Sequence, residues 1–296
     1  MANDSTILPA QLISLAVDDL IASQNADGGW PYHVGQPSNL EPTSLALLAL
    51  HATGLGDAQI TKGIDWLGNL QRPDGYLPTS AIVPDPHWAT ALAGLAAYHR
   101  SADALANNAR DALLDTSVFT FQSLTRSVFG YNTGISGWPW TVSDFSFVEP
   151  TAMSVLFLKS AGQGQATRVR QGVDLLRDRE IPGGGWNYGE PRVLDGNLFA
   201  TTIPTAQTLL AMADEQNDQT NRGRDLLLSQ RGELTSLMSL GWAAIALNVY
   251  GVINASWRAD VAALWCTTSI DRRGPMETAL ALLGVLDTNN HPMALS

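Results

Sequence analysis

Ser136-Gly-Trp-Pro-Trp-Thr-Val-Ser-Asp-Phe-Ser-Phe-Val-Glu-Pro-Thr-Ala-Met-Ser-Val-Leu-Phe-Leu158 contains three things in succession: a tight aromatic turn, a polar loop and a helix with almost no polar face. Gly137 makes the turn before Trp138, and Asp144 and Ser146 stand in the loop among Trp140, Phe145 and Phe147. Pro150 follows Glu149 in the first helical turn, where an N–H would have no intrahelical partner anyway. A helix that is apolar all round is buried all round.

The same order recurs along the chain. Ala26-Asp-Gly-Gly-Trp30 leads to the helix opening at Glu41, and Pro73-Asp-Gly-Tyr76 leads to the one opening at His87. Eleven residues separate Trp30 from Glu41, Tyr76 from His87 and Trp138 from Glu149. A fourth copy runs from Pro182-Gly-Gly-Gly-Trp186 to a helix at Ile203, and weaker ones lead to Thr235–Leu247 and Met276–Leu283. Amphipathic stretches such as Leu12–Ser23 and Ile64–Leu70 precede these apolar helices. Neither helix of such a pair can bury its apolar face alone. Six pairs therefore predict an all-α (α/α)6 toroid, one domain over residues 1–296, with parallel inner helices whose N-termini gather at one mouth. Residues 103–132 break the period; the extra segment Leu113–Phe129 fits either an outer helix with a surface loop or a flap over the mouth. The tail after Asp287 is expected to be loose.

With 45% hydrophobic residues in 296, the chain can bury a large core. Its N-terminal stretch has neither the basic nor the apolar region of a signal peptide, so a soluble cytoplasmic protein is expected. A net charge of −11 opposes binding to nucleic acid or anionic lipid but not to a neutral apolar molecule. Cys266, the single cysteine, cannot form an intrachain disulfide or a Cys-pair zinc site, and neither a metal nor another cofactor is expected.

Glu41, His87, Glu149 and Glu277 open four inner helices and are expected to ring the mouth. A carboxylate there is either a cap favoured by the helix dipole or, desolvated among aromatics, an acid with a raised pKa that can protonate an apolar substrate. Glu149, with Asp144 close in sequence, is the expected catalytic pair. Trp138, Trp140, Phe147, Trp88, Tyr188, His87 and Glu41 are the expected substrate contacts, since aromatic faces stabilise a carbocation. Trp30 and Trp186 fit better as plugs between helices. Gln24, Asn132 and Glu180, each six residues before a turn tryptophan, are expected to be structural staples, Gln24 bonding exposed N–H groups of the next helix.

Gln24-Asn-Ala-Asp-Gly-Gly-Trp30 resembles the glutamine-tryptophan repeat of squalene and oxidosqualene cyclases. The whole chain resembles the prenyltransferase and squalene-cyclase repeat superfamily, most of all its stand-alone bacterial repeat proteins. Glu149-Pro150-Thr151-Ala152 stands where those cyclases carry Asp-x-Asp-Asp-Thr-Ala or Asp-Cys-Thr-Ala, with Glu149 at the position of the proton-donating aspartate. The resemblance implies an α/α toroid and a metal-independent, class II terpene-cyclase-like isomerase that protonates an isoprenoid in its central cavity. Departures are plain: Glu replaces Asp, Pro150 replaces the following residue, Phe147 stands at the first Asp, and there is one helical domain where full cyclases have two. Two other functions fit the same fold. One is a non-catalytic toroid that binds a lipid or a protein, through a peripheral membrane contact or a second protein domain or subunit. The other is a sugar-processing α/α barrel with Glu41 and Glu149 as its carboxylates. With one cysteine and scattered histidines, elemental analysis of the purified protein is expected to find no stoichiometric zinc, and about one zinc per chain would refute this.

Overall fold

The protein, a computed structural model, is described over residues 9–85, 88–121, 130–193, 196–286 and 291–295. Among the described residues twelve α-helices follow one another: α1 (Pro9–Ala22), α2 (Leu40–Thr53), α3 (Asp57–Leu70), α4 (Thr90–His99), α5 (Asp103–Leu114), α6 (Val148–Ser160), α7 (Thr167–Asp178), α8 (Thr202–Ala211), α9 (Asp218–Ser229), α10 (Leu237–Val249), α11 (Ala255–Thr267) and α12 (Pro275–Val285). The even-numbered helices pack each on the next, and α12 packs back on α2, so they close a ring. The odd-numbered helices lie outside it, each against one or two of the inner helices. This is the (α/α)6 toroid expected from the repeat. Two short hairpins, β1 (Trp30–Pro31) with β2 (Ser38–Asn39) and β3 (Arg192–Val193) with β4 (Gly196–Asn197), edge the loops at the mouth. No helix among the described residues is long and apolar enough to cross a membrane.

One contact repeats in four units and sets the register of loop against helix. Trp30, Leu77, Trp138 and Trp186 each donate a backbone N–H to a threonine hydroxyl in the following inner helix: Thr43 at 2.8 Å, Thr90 at 3.0 Å, Thr151 at 2.8 Å and Thr205 at 2.9 Å. Each hydroxyl donates in turn to the carbonyl of the same residue. Both backbone groups of a buried turn residue are thereby satisfied without a sheet. Gly137 is required here, because a Cβ on it would lie 2.3 Å from the Thr151 Oγ1.

The latch aims the turn tryptophan outward. Trp30, Trp138 and Trp186 wedge between the two helix layers and donate their indole N–H to Leu20, Leu113 and Leu176, each near the end of an outer helix. The next outer helix makes room with glycine: a Cβ on Gly63, Gly172 or Gly223 would come within 2.8, 2.6 or 2.8 Å of Trp30, Trp138 or Trp186. Gln24 does staple its unit, but by giving rather than accepting. Its Nε2 donates to Gly28 O and to Gln59 O in the first turn of α3, both at 2.8 Å. Glu180 reaches the next outer helix as an acceptor, from Arg222 and Gln219. Asn132 ties its loop to the end of the next outer helix through its backbone, its N–H donating to Asp178 and its carbonyl accepting from Arg179, while its side-chain Oδ1 accepts the Gly134 N–H.

The ring's axis is packed. From Thr43 to Leu50, Thr90 to Ala97, Val148 to Leu158, Pro204 to Ala211 and Leu240 to Asn248, every inner-helix residue is buried, those turned toward the axis included. The open central cavity expected from the resemblance is therefore not present at this depth. Alanine and glycine bring the helices close: a Cβ on Gly94 would meet Phe157, and one on Gly241 would meet Leu280. The end away from the mouth is closed by residues 291–295, which corrects the expectation of a loose tail there. Met293 is fully buried, the His99 ring bonds Pro292 O at 2.8 Å, and the His291 ring bonds Leu283 O at 3.1 Å. Burial holds His51, His99 and His291 below the usual histidine range, His291 at about 4. The fold needs them neutral, so the stability they contribute is lost as pH falls from about 6.5 towards 4.

Replacing Thr151 by Val keeps its volume and removes both bonds of one latch. Thermal unfolding is expected to show a loss of about 2 kcal/mol, with Thr151→Ser losing less than about half of that. A Val variant as stable as the wild type would show that the latch carries no weight.

Candidate functional site at the ring mouth

The latch determines where the acids point. In Glu41-Pro42-Thr43 and Glu149-Pro150-Thr151 the threonine faces the wall, and two residues earlier is about 200° around the helix, toward the axis. Glu149 is only 7% exposed, and its Oε1 accepts a 2.8 Å bond from Gln207 Nε2 on α8. Burial pushes its pKa up from 4.5 to about 7; the Gln207 bond opposes this and the charge of Glu41 adds to it. Glu41 Oε2 accepts a 2.7 Å hydrogen bond from the Tyr32 hydroxyl, and burial holds Glu41 above the usual carboxylate range against that bond. Tyr32 is pushed far up, first by burial and then by Glu41, with Glu149 and Glu277 adding. The N-termini of α2, α6 and α12 therefore share one electrostatic space. Glu277 serves as a cap there, its Oε2 accepting the Gly274 N–H at 3.1 Å.

The other expected contacts divide. Trp140 and Trp88 meet edge to face at 5.2 Å, and Trp140 lies 6.3 Å from Phe147. Tyr188, 44% exposed, is near enough to Glu149 for that carboxylate to raise its phenol, after burial. Trp138 does not line the mouth, since the latch turns it into the wall, where Arg168 stacks on it at 4.0 Å. Asp144 does not pair with Glu149. Its Oδ1 accepts the Phe145 N–H at 2.7 Å and its carbonyl the Phe119 N–H, which makes it a loop-forming residue. His87 lies outside the described residues.

The insertion forms a second space. A cavity of about 280 Å³ opens beside the mouth, walled by Phe119, Phe121, Phe145, Phe147 and Tyr131, with Glu190 at its edge. A bridge between Phe119 and Phe145 ties the insertion to the mouth loop, and Tyr131 donates to Glu190 Oε1 at 2.9 Å. Of the extra segment Leu113–Phe129, α5 takes in only the first two residues, 115–121 carries Phe119 and Phe121 of this wall, and residues 122–129 lie outside the described residues.

A type II terpene cyclase, MstE from Scytonema, solved with geranylgeranyl dihydroxybenzoate, superposes with a TM-score of 0.62 over 96% of this chain and 98% of its own, at 14% identity. The chain has the α/α toroid fold of type II terpene cyclases. An α-amylase from Clostridium perfringens superposes with a TM-score of 0.68 over 97% and 99%, at 10% identity. One scaffold thus holds two unrelated chemistries, and the fold alone does not choose between them. In sequence, a 56-residue segment covering 19% of this chain is 39% identical to drimenyl diphosphate synthase of Streptantibioticus cattleyicolor, and spans 10% of that protein's length. No family model matches.

Gln207 and Tyr32 are the residues of the mouth that the sequence motifs did not mark. Gln207 had a signal: in Ile203-Pro-Thr-Ala-Gln-Thr-Leu-Leu-Ala211 it is the one long polar side chain of a helix buried all round. Because Glu149 is protonated more readily folded than unfolded, its contribution to stability is full below about 4.5 and lost as pH rises through about 7. Glu149→Gln removes that loss. Relative to the wild type it is expected to gain on the order of 2–3 kcal/mol between pH 5 and pH 8, measured by denaturant unfolding at both. A constant difference would show that Glu149 is solvated.

Proposed function

We propose that the protein is a class II terpene-cyclase-like enzyme that starts cyclisation or isomerisation of an isoprenoid by proton transfer from Glu149 at the ring mouth. The observation that carries this reading is the setting of Glu149, a carboxyl buried in the mouth with a neutral amide as its hydrogen-bond partner. Such an acid is half protonated near pH 7 and can protonate an alkene carbon that water cannot. Phe147, Trp140 and Tyr188 offer π faces to the resulting cation. Loss of a proton from a neighbouring carbon completes an isomerisation with no metal in the step. The terpene-cyclase likeness supports an apolar small molecule as partner, and the absence of a membrane-crossing helix among the described residues is compatible with a cytoplasmic enzyme.

The packed axis favours a second reading, a non-catalytic toroid that binds its partner across the mouth. A sugar-processing role fits less well: burial holds both Glu41 and Glu149 toward their neutral forms, whereas glycoside hydrolysis needs one of the pair ionised. Glu149→Gln separates these. Incubated with linear isoprenoids, the wild type is expected to form cyclic or isomerised products at a rate that falls as pH rises through about 7, and the variant to lose at least about a hundredfold. Undiminished turnover in a folded Glu149→Gln protein would make Glu149 a cap and leave the binding toroid as the better reading.

A further inference from the structure

The aromatic cavity beside the mouth shares only Phe147 with the site around Glu149. Three of its rings come from the insertion and the mouth loop. Phe121 and Phe145 stack with their planes 25° apart, and Phe119 stands across both, at 90° and 82°. Rings set at right angles form a corner, and a ligand seated in it meets π faces from two sides. Each of the three is 42–52% exposed. A cluster of large rings held open to water marks a binding surface on a soluble protein.

The polar groups around the cavity narrow the ligand. Arg179 is committed elsewhere, its guanidinium bonding Asp178 and the Asn132 carbonyl and lying over the Tyr131 ring at 4.2 Å. The Ser146 Oγ accepts the Gly137 N–H. Glu190 Oε1 accepts the Tyr131 hydroxyl at 2.9 Å, and its other oxygen has no partner among the described residues. Arg192 does not line the cavity, since its stem runs over Gly130. Burial and then Glu190 push the Tyr131 phenol up to about 12, against a smaller pull from Arg179, so the field there is negative. An anion is repelled by Glu190, and a neutral hydrocarbon leaves that charge unanswered. A primary ammonium would lose water that phenyl faces cannot replace.

We propose that this cavity binds a small quaternary ammonium compound, its alkylated head in the corner of Phe119, Phe121 and Phe145 and its charge balanced by Glu190. Such a cation has no N–H to satisfy, and the ring quadrupoles attract it most strongly where it is desolvated. The volume of about 280 Å³ suits a ligand of that size. The net charge of −11 draws cations toward the protein as a whole. The site stands whether or not Glu149 transfers a proton.

The test uses choline and its uncharged carbon isostere, neohexyl alcohol, which match in shape and differ in charge. Apolar burial alone favours the alcohol, so a preference for choline reports the rings and the carboxylate. Calorimetry at low salt is expected to show the wild type binding choline about tenfold tighter than neohexyl alcohol and about tenfold tighter than ethanolamine. Phe121→Leu keeps an apolar wall but removes a π face; it should weaken choline about fivefold and change the alcohol less than about twofold. Glu190→Gln should weaken choline about fivefold and flatten the dependence of its binding on salt. Glu190 is exposed and glutamine can still accept from Tyr131, so this variant tests the charge even if Phe121→Leu does not fold. Equal affinities for choline and the alcohol, binding of neither, ethanolamine binding as well as choline, or a preference undiminished in either folded variant overturns the proposal.

Discussion

A threonine hydroxyl that serves both backbone groups of a turn residue is the contact on which the rest of the ring depends. Thr43, Thr90, Thr151 and Thr205 do this in four successive units. A turn inside a two-layer helical fold buries an N–H and a C=O that no sheet will pair, and leaving them unpaired would cost more than a helix terminus can recover. Once the latch is made, little is free. The tryptophan must point between the layers, its indole N–H meets the end of the preceding outer helix, and the following outer helix must carry glycine at Gly63, Gly172 and Gly223. The glutamate two residues before the threonine is turned toward the axis as a by-product of the same register.

Three glutamates then occupy similar positions at the mouth and meet different fates. The helix dipole favours the ionised form at each. Glu277 finds the Gly274 N–H and caps its helix, Glu41 finds the Tyr32 hydroxyl, and Glu149 finds a single amide hydrogen of Gln207. At Glu149 desolvation outweighs both the dipole and the one bond, which is why its pKa ends near 7. The neighbours on other helices decide the outcome, and no local motif carries that information.

This explains what was legible in the sequence. The toroid was, because glycine turns, the eleven-residue spacing and the contrast between amphipathic and all-apolar helices are local signals. Glu149 was placed at the mouth by the same spacing. Trp138 reads as a mouth residue because Trp140 is near it, yet it shares its turn with the plugs Trp30 and Trp186; the distinguishing sign is Thr151, thirteen residues on. Asp144 drew attention by proximity in sequence, yet a loop lets its side chain close on its own backbone. Gln207 lies 58 residues from Glu149, so only the closed ring brings the two together.

The packed axis also follows from composition, and it confines any chemistry to one end. Ala46, Ala49, Ala91, Ala93, Ala96, Ala243, Ala244, Ala279 and Ala281 are buried on helices that approach closely enough to exclude water along their middle. Larger residues there would hold the helices apart and open a lumen, as volume rather than polarity sets their separation. The far end is sealed by His291 and Met293. At the opposite end the described residues leave the cavity of about 280 Å³ beside the mouth, walled by Phe119, Phe121, Phe145 and Phe147.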